Sequence, residues 1–283
     1  MQIRTDLAVE RTISAPSMLS GIRQIKRGNV FNITEVIVES NESGRVIGKP
    51  KGRYITLESS ELSRFSPKYQ QMIEEFSEEI SELIPDKGNI LVVGLGNRAI
   101  TPDSLGPRVA SKVLATRHLQ TELNENDDEF LHTLRPVSVL ASGVLGETGI
   151  ETAEIISAVC EKIKPTAVIA VDALACADPE RLGTTIQMCD SGISPGSGVA
   201  NHRRELSLKT LGVPVIAVGI PTVVDLHTIA ESISGQSIDK QSPNMMVTPR
   251  DIDRLIEHSA SIIAFGINLA LQPDLSFKDL QSL

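Results

Sequence analysis

The chain has 283 residues, enough to bury a substantial core in one large α/β domain or in a domain with an appendage. Its 27 Lys and Arg against 36 Asp and Glu leave a net charge of −9, which excludes a nucleic-acid grip spread over the whole surface and points to small-molecule or protein partners. Three cysteines without C-x-x-C spacing, no apolar run of about 18 residues and a start that lacks a signal-peptide core exclude a disulfide framework and predict a protein of the reducing cytosol.

Residues 1–28 carry a basic excess with Ser, Pro and Gly and no sustained period, so they read as a loosely held arm, followed by a single α/β domain over 29–283. Alternating pieces at 33–38 and 53–57, separated by turn-rich Ser40-Asn41-Glu42-Ser43-Gly44, predict a hairpin or paired edge strands. An amphipathic helix is predicted over 68–84, with Met72, Phe76, Ile80 and Ile84 on its apolar face and Glu74, Glu75, Glu78 and Glu79 on a solvated one. From Asn89 the pattern alternates. Strands fall near 89–95, 136–141, 166–172, 184–189 and 214–220, and helices near 106–118, 150–164, 225–234 and 249–271. That order implies a three-layer, mostly parallel sheet with helices on both faces and an N-terminal β-rich appendage. Gly106 and Pro107 are expected to open the first of these helices; Thr248, Pro249 and Asp251 are expected to cap the last.

Two aspartates carry the chemistry. Asp103 follows Ile90-Leu91-Val92-Val93-Gly94 by a short loop, and Asp172 ends Ala167-Val168-Ile169-Ala170-Val171. Both strands are unalternated apolar runs, as in parallel sheets buried on both faces, where sites lie beyond the carboxyl ends of the strands. Two carboxylates brought together there repel, so one holds a proton while its neighbour stays ionised, giving an acid and a base. The plainer reading of each is a turn or helix-cap residue. Gly94-Leu95-Gly96 with Ala99 also satisfies a loose dinucleotide pattern, but Asp103 would repel a pyrophosphate and no acidic residue stands where a ribose contact belongs. The glycine-rich stretch 189–204 reads as a binding or gating loop. His202, within it, completes a possible metal set with the two aspartates but sits beside Arg203 and Arg204, which disfavour a cation. His227 reads as structural, and Cys176 as an ordinary buried cysteine without a visible base.

Taken together, Gly94-Leu95-Gly96-Asn97, Thr101-Pro102-Asp103-Ser104-Leu105-Gly106-Pro107, Val171-Asp172-Ala173-Leu174-Ala175, Gly192-Ile193-Ser194-Pro195-Gly196-Ser197-Gly198-Val199 and Gly219-Ile220-Pro221-Thr222-Val223-Val224-Asp225 resemble the germination proteases of endospore-forming bacteria. The likeness runs from Arg4-Thr5-Asp6-Leu7 to the final helix. It implies an endopeptidase of the spore core that degrades small acid-soluble spore proteins, made as an inactive homotetrameric zymogen that removes its own amino-terminal peptide. It also implies a fold similar to the hydrogenase maturation endopeptidases, an atypical aspartic mechanism at Asp103 and Asp172, no metal or other cofactor, and no direct contact with nucleic acid or membrane. Gly196, Ser197 and Gly198 are the expected substrate-binding residues. Thr5-Asp6-Leu7 resembles the sites the family cuts, so processing is expected between Asp6 and Leu7, favoured by mildly acidic pH, with Arg4 and Arg11 holding the basic arm over the acidic site beforehand. The peptide released would be very small. The alternatives are a metal-dependent maturation-type endopeptidase using the same aspartates, and a noncatalytic nucleotide- or peptide-binding protein.

Overall fold

Residues 90–94 and 167–176 are runs made mostly of β-branched and other apolar side chains, the second interrupted by Asp172, and nearly all of them are buried. In the computed structural model, which describes residues 5–13, 20–122, 129–196, 203–236 and 245–282, these runs form the middle of one sheet. Its strands are β1 (Ile22–Arg27), β2 (Asn32–Val38), β3 (Gly52–Glu58), β4 (Ile90–Gly94), β5 (Val137–Ala141), β6 (Ala167–Cys176), β7 (Thr185–Cys189), β8 (Val215–Asp225) and β9 (Met246–Val247). They lie in the order β1-β2-β3-β7-β8-β6-β4-β5, with β9 paired to β8. Strands β8, β6, β4 and β5 are parallel; β1, β2, β3 and β7 are antiparallel, and β7 joins β8 antiparallel.

Because side chains alternate along a strand, Val92 and Ile169 face one layer while Leu91, Val93 and Ala170 face the other. The first layer holds the helices Tyr69–Ser81, Leu105–Ala110 and Ile252–Leu271, which contribute Phe76, Leu105 and Ile263. The second holds Thr152–Ile163, which contributes Ile156 and Cys160. The predicted α/β architecture, helices on both faces, is therefore present.

The predicted N-terminal β-rich part is present as β1, β2 and β3, and it continues the same sheet. Strand β3 pairs with β7 from Tyr54 opposite Cys189 to Glu58 opposite Thr185, so the sheet runs on without a break. The link from β2 to β3 is a helix, Asn41–Ile47, rather than a turn: Ser40 caps it by accepting the Ser43 N–H at 3.1 Å. Ser, Asn and Gly serve a turn and a capped helix equally well, which is why composition alone misleads here.

The described part of the first 28 residues is held in place, against the expectation of a loose arm. Leu7, Ala8 and Val9 are buried, Ala8–Ile13 is helical, and β1 forms the sheet edge. Strand β1 escaped notice because an edge strand exposed on most of its length shows no apolar alternation. Its last residue, Arg27, reaches Glu35 at 2.7 Å and Glu79 at 2.5 Å. Two of the four glutamates expected in solvent are thereby structural: Glu79 is buried beside Arg27, and the Glu75 carboxylate accepts N–H groups from Asn29, Val30 and Phe31. Helix starts also differ from expectation. A 3₁₀ turn, Thr101–Asp103, leads through Ser104 into Leu105–Ala110, and the last helix starts after Asp251 while the Thr248 hydroxyl donates to the Thr222 carbonyl at 2.9 Å.

Candidate active site

Strand β4 stops at Gly94, opposite Val171 of β6, whereas β6 continues beside β8 to Cys176. Asp172 therefore lies inside a strand, one step past the end of its neighbour, and not at the end of its own strand as predicted. Small and apolar residues from Ala173 to Cys176 pair with the Ile220–Val224 stretch of β8 and extend the ladder. The chain leaving β4 is drawn back over this extension: the Leu95 N–H donates to the Val171 carbonyl at 2.8 Å.

Two glycines then let Asp103 approach. Gly96 has φ +107°, and a Cβ there would lie 2.1 Å from the Asp103 carbonyl oxygen. A Cβ on Gly106 would lie 2.3 Å from the Leu95 carbonyl oxygen and 2.4 Å from that of Val171. The Gly-x-Gly loop thus closes around a carboxylate: the Asn97 N–H donates to Asp103 Oδ2 at 2.7 Å. Gly106→Ala is expected to cost about 1–3 kcal/mol of stability and to displace the Asp103 turn. The check is a lowered melting temperature together with lowered peptidase activity, and an unchanged protein would contradict this packing.

Asp103 and Asp172 line one cavity of about 400 Å³ with Asp6, Gly196, Arg203 and Thr222. Asp172 is 5% exposed and accepts only the Ala173 N–H at 2.9 Å among the bonds found for its carboxylate. Burial first, then the charges of Asp103 and Asp6, push its carboxyl up to about 8, against the pull of the Ala173 N–H and of Arg203. Burial also raises Asp103, while the Asn97 N–H and Arg203 oppose the rise. Asp172 is thus the member of the pair that keeps a proton at neutrality.

A second cavity, of about 260 Å³, shares Asp172, Asp6 and Gly196 with the first and adds Arg11, Lys49 and Gln187. The N-terminal segment enters it as an extra strand would. Asp6 donates its N–H to the Ala175 carbonyl at 3.0 Å, and its Oδ2 accepts the Ala175 N–H at 2.9 Å. The Asp6 carbonyl accepts Lys49 Nζ at 2.6 Å and Gln187 Nε2 at 3.0 Å. Beyond it, Leu7 is fully buried among Leu174, Cys176 and Val224, the Ala8 N–H donates to Gln187 Oε1 at 2.6 Å, and the Glu10 carboxylate accepts the N–H groups of Ala177 and Asp178, each at 2.9 Å.

The structure accordingly gathers Asp103, Asp172, Gly196 and Asp6 around connected space, with Leu7 anchored next to them. Ser197, Gly198, His202 and Arg4 lie outside the described residues. Arg11 lines the smaller cavity, where it donates to the Thr5 carbonyl at 3.0 Å. Lys49 and Gln187 were not singled out from the sequence; the only trace of the second is an amide in the otherwise apolar run Ile186-Gln187-Met188. Burial pushes the Cys176 thiol up to about 12, so it is no thiolate nucleophile near neutrality. Among the described residues no three His, Cys, Asp or Glu side chains cluster as a metal site, and no helix is long and apolar enough to cross a membrane.

A family model described as germination protease matches residues 8–241. The germination protease of Clostridium tetani is 41% identical, covering 100% of this chain and 99% of its own length. That of Priestia megaterium is 46% identical over 96% of this chain and 94% of its own. Among solved structures, a NiFe hydrogenase maturation protease, HycI, from Thermococcus kodakarensis KOD1 is similar with a TM-score of 0.36 and 19% identity, over 67% of this chain and 98% of that one. The class these relatives define is a peptidase. The chain belongs to the germination protease family, and its activity is that of an endopeptidase of spore germination.

Proposed function

We propose that this chain is made as a zymogen that cuts itself between Asp6 and Leu7 and then degrades small acid-soluble spore proteins in the spore core, as a homotetramer, with Asp103 and Asp172 as its catalytic pair. The observation that supports this reading is that Asp6 and Asp172 line both cavities and Asp103 lines one of them, so Asp6 shares its space with the carboxyl pair. Ionised Asp103 takes a proton from water as its oxygen adds to the carbonyl carbon, and protonated Asp172 delivers its proton to the departing amide nitrogen. The loop around Gly196, Ser197 and Gly198 binds the substrate chain.

The test is incubation of the purified full chain with a small acid-soluble spore protein in excess chelator, with cut sites mapped by mass spectrometry. Cuts after an acidic residue followed by an apolar one are expected. An intact substrate after self-processing has run to completion would overturn the substrate assignment.

A further inference from the structure

Resting on the reading that the bond after Asp6 is the one cut, we propose that Lys49 and Gln187 are catalytic residues that form the carbonyl-activating site, acting first on the Asp6 carbonyl and afterwards on the equivalent carbonyl of each protein substrate. Two side-chain donors converge on that single oxygen, at 2.6 Å from Lys49 Nζ and 3.0 Å from Gln187 Nε2. Convergence of fixed donors on a carbonyl that will gain negative charge is the geometry of an oxyanion site.

Both donors are held by the fold. Lys49 follows Gly48, which ends the helix Asn41–Ile47 at φ 65°, and the Lys49 N–H is tied to the Gly44 carbonyl at 3.0 Å. Its ammonium stands 5.8 Å from the centre of the Tyr54 ring. Gln187 lies in the middle of β7, opposite Thr56 on one side and Gly219 of β8 on the other. Gly219 is also the partner of Asp172 in β6. Gln187 and Asp172 therefore flank one glycine, on strands about 10 Å apart, and Gly219 lines the cavity between them. Gln187 and Asp172 thus reach this space from the strands on either side of β8. Gln187 also grips the chain two residues on, accepting the Ala8 N–H, so one amide fixes the backbone on both sides of the bond.

In the first half of the reaction a water oxygen bonds to the Asp6 carbonyl carbon, its proton passes to Asp103, and the carbonyl π pair moves onto oxygen, where Lys49 and Gln187 stabilise it. In the second half that pair re-forms the carbonyl, the C–N bond breaks with its electrons on the Leu7 nitrogen, and the proton of Asp172 moves to that nitrogen. The products are a carboxyl group on Asp6 and an amine on Leu7. Removal of Asp6 then leaves the two donors free for a substrate carbonyl.

The test is Lys49→Met in the full chain, which keeps the apolar stem and removes the charge, measured beside Lys49→Arg and Gln187→Met on a Thr-Glu-Ile-containing peptide and on self-processing. Lys49→Met is expected to lower kcat by about 10²–10³-fold with KM changed only a few-fold, and Lys49→Arg to recover part of that loss. Gln187→Met is expected to lower kcat about tenfold or more, and it decides the question by the same split should Lys49→Met fail to fold. A wild-type kcat in these variants, or an effect confined to KM, overturns the proposal. If the wild type cuts the peptide but leaves its own Asp6–Leu7 bond intact, the self-processing reading fails, while the kcat of the Lys49 variants on the peptide still decides this one.

Discussion

Asp103→Asn and Asp172→Asn are each expected to lower peptide hydrolysis on the order of 10⁴-fold or more while the protein stays folded, because a neutral amide neither accepts nor delivers the proton that the reaction moves. The two variants should part company in stability. Folded Asp172 holds its proton up to about 8, whereas an ordinary aspartate loses it near 3.8, so the folded state binds a proton that the unfolded chain gives up. The associated stability is complete below the ordinary value and is lost as pH rises through about 8. Asp172→Asn has no such proton to lose. It should melt close to wild type at roughly pH 4 and several degrees above it at roughly pH 9. Steady-state kinetics and thermal melting at the two pH values provide the check; near-normal turnover in either variant removes the pair from the mechanism.

Self-processing should follow a bell-shaped pH profile whose alkaline limb lies near 8, where Asp172 loses the proton it must deliver. Its acid limb should lie above 3.8, because burial raises Asp103 and protonation removes the base. The sequence leads one to expect that mildly acidic pH promotes the cut because the pair must share a proton; a carboxyl that keeps its proton up to about 8 already supplies one close to neutrality. Between roughly pH 6 and roughly pH 9 Asp172 passes from mostly protonated to mostly ionised, so the rate should fall markedly across that range. Amino-terminal sequencing over time gives the measurement, with Asp103→Asn as the inert control. A new terminus at Leu7 in the wild type alone is the expected result. A rate that is level through pH 8, or clipping of Asp103→Asn, contradicts the scheme. Once Asp6 has left, one of the charges that raise Asp172 is gone, so the alkaline limb of the mature enzyme should fall at lower pH than that of the precursor.

The parallel half of the sheet was legible because burial on both faces writes itself as unbroken apolar runs, as in β4 and the first part of β6. Asp172 stood out for the same reason, since a carboxylate at the end of such a run is conspicuous, and Asp103 stood out because a short loop sets it beyond the neighbouring run. Less legible was everything that depends on pairing between distant segments. Strand β1 is mostly solvent-exposed, and Glu75 and Glu79 look like any surface glutamates until Arg27 and the turn at Asn29 arrive from another part of the chain. Lys49 follows a helix that composition reads as a turn, and its role rests on a carbonyl more than forty residues earlier, for which no periodicity exists. The capping expectation at Thr248 failed because that hydroxyl is engaged by β8.

The way the N-terminal segment is laid into its own cavity also sets how a population of molecules would switch on under the proposed self-processing. The scissile bond is tethered on both sides, by Asp6 to Ala175 before it and by Ala8 and Glu10 to Gln187 and Ala177 after it, so no diffusional encounter is needed to present it. Activation of this kind is a private clock in every copy rather than a chain reaction seeded by the first few. Under that scheme dilution does not slow the cut and crowding does not hasten it, because the rate in each copy is set by its own geometry.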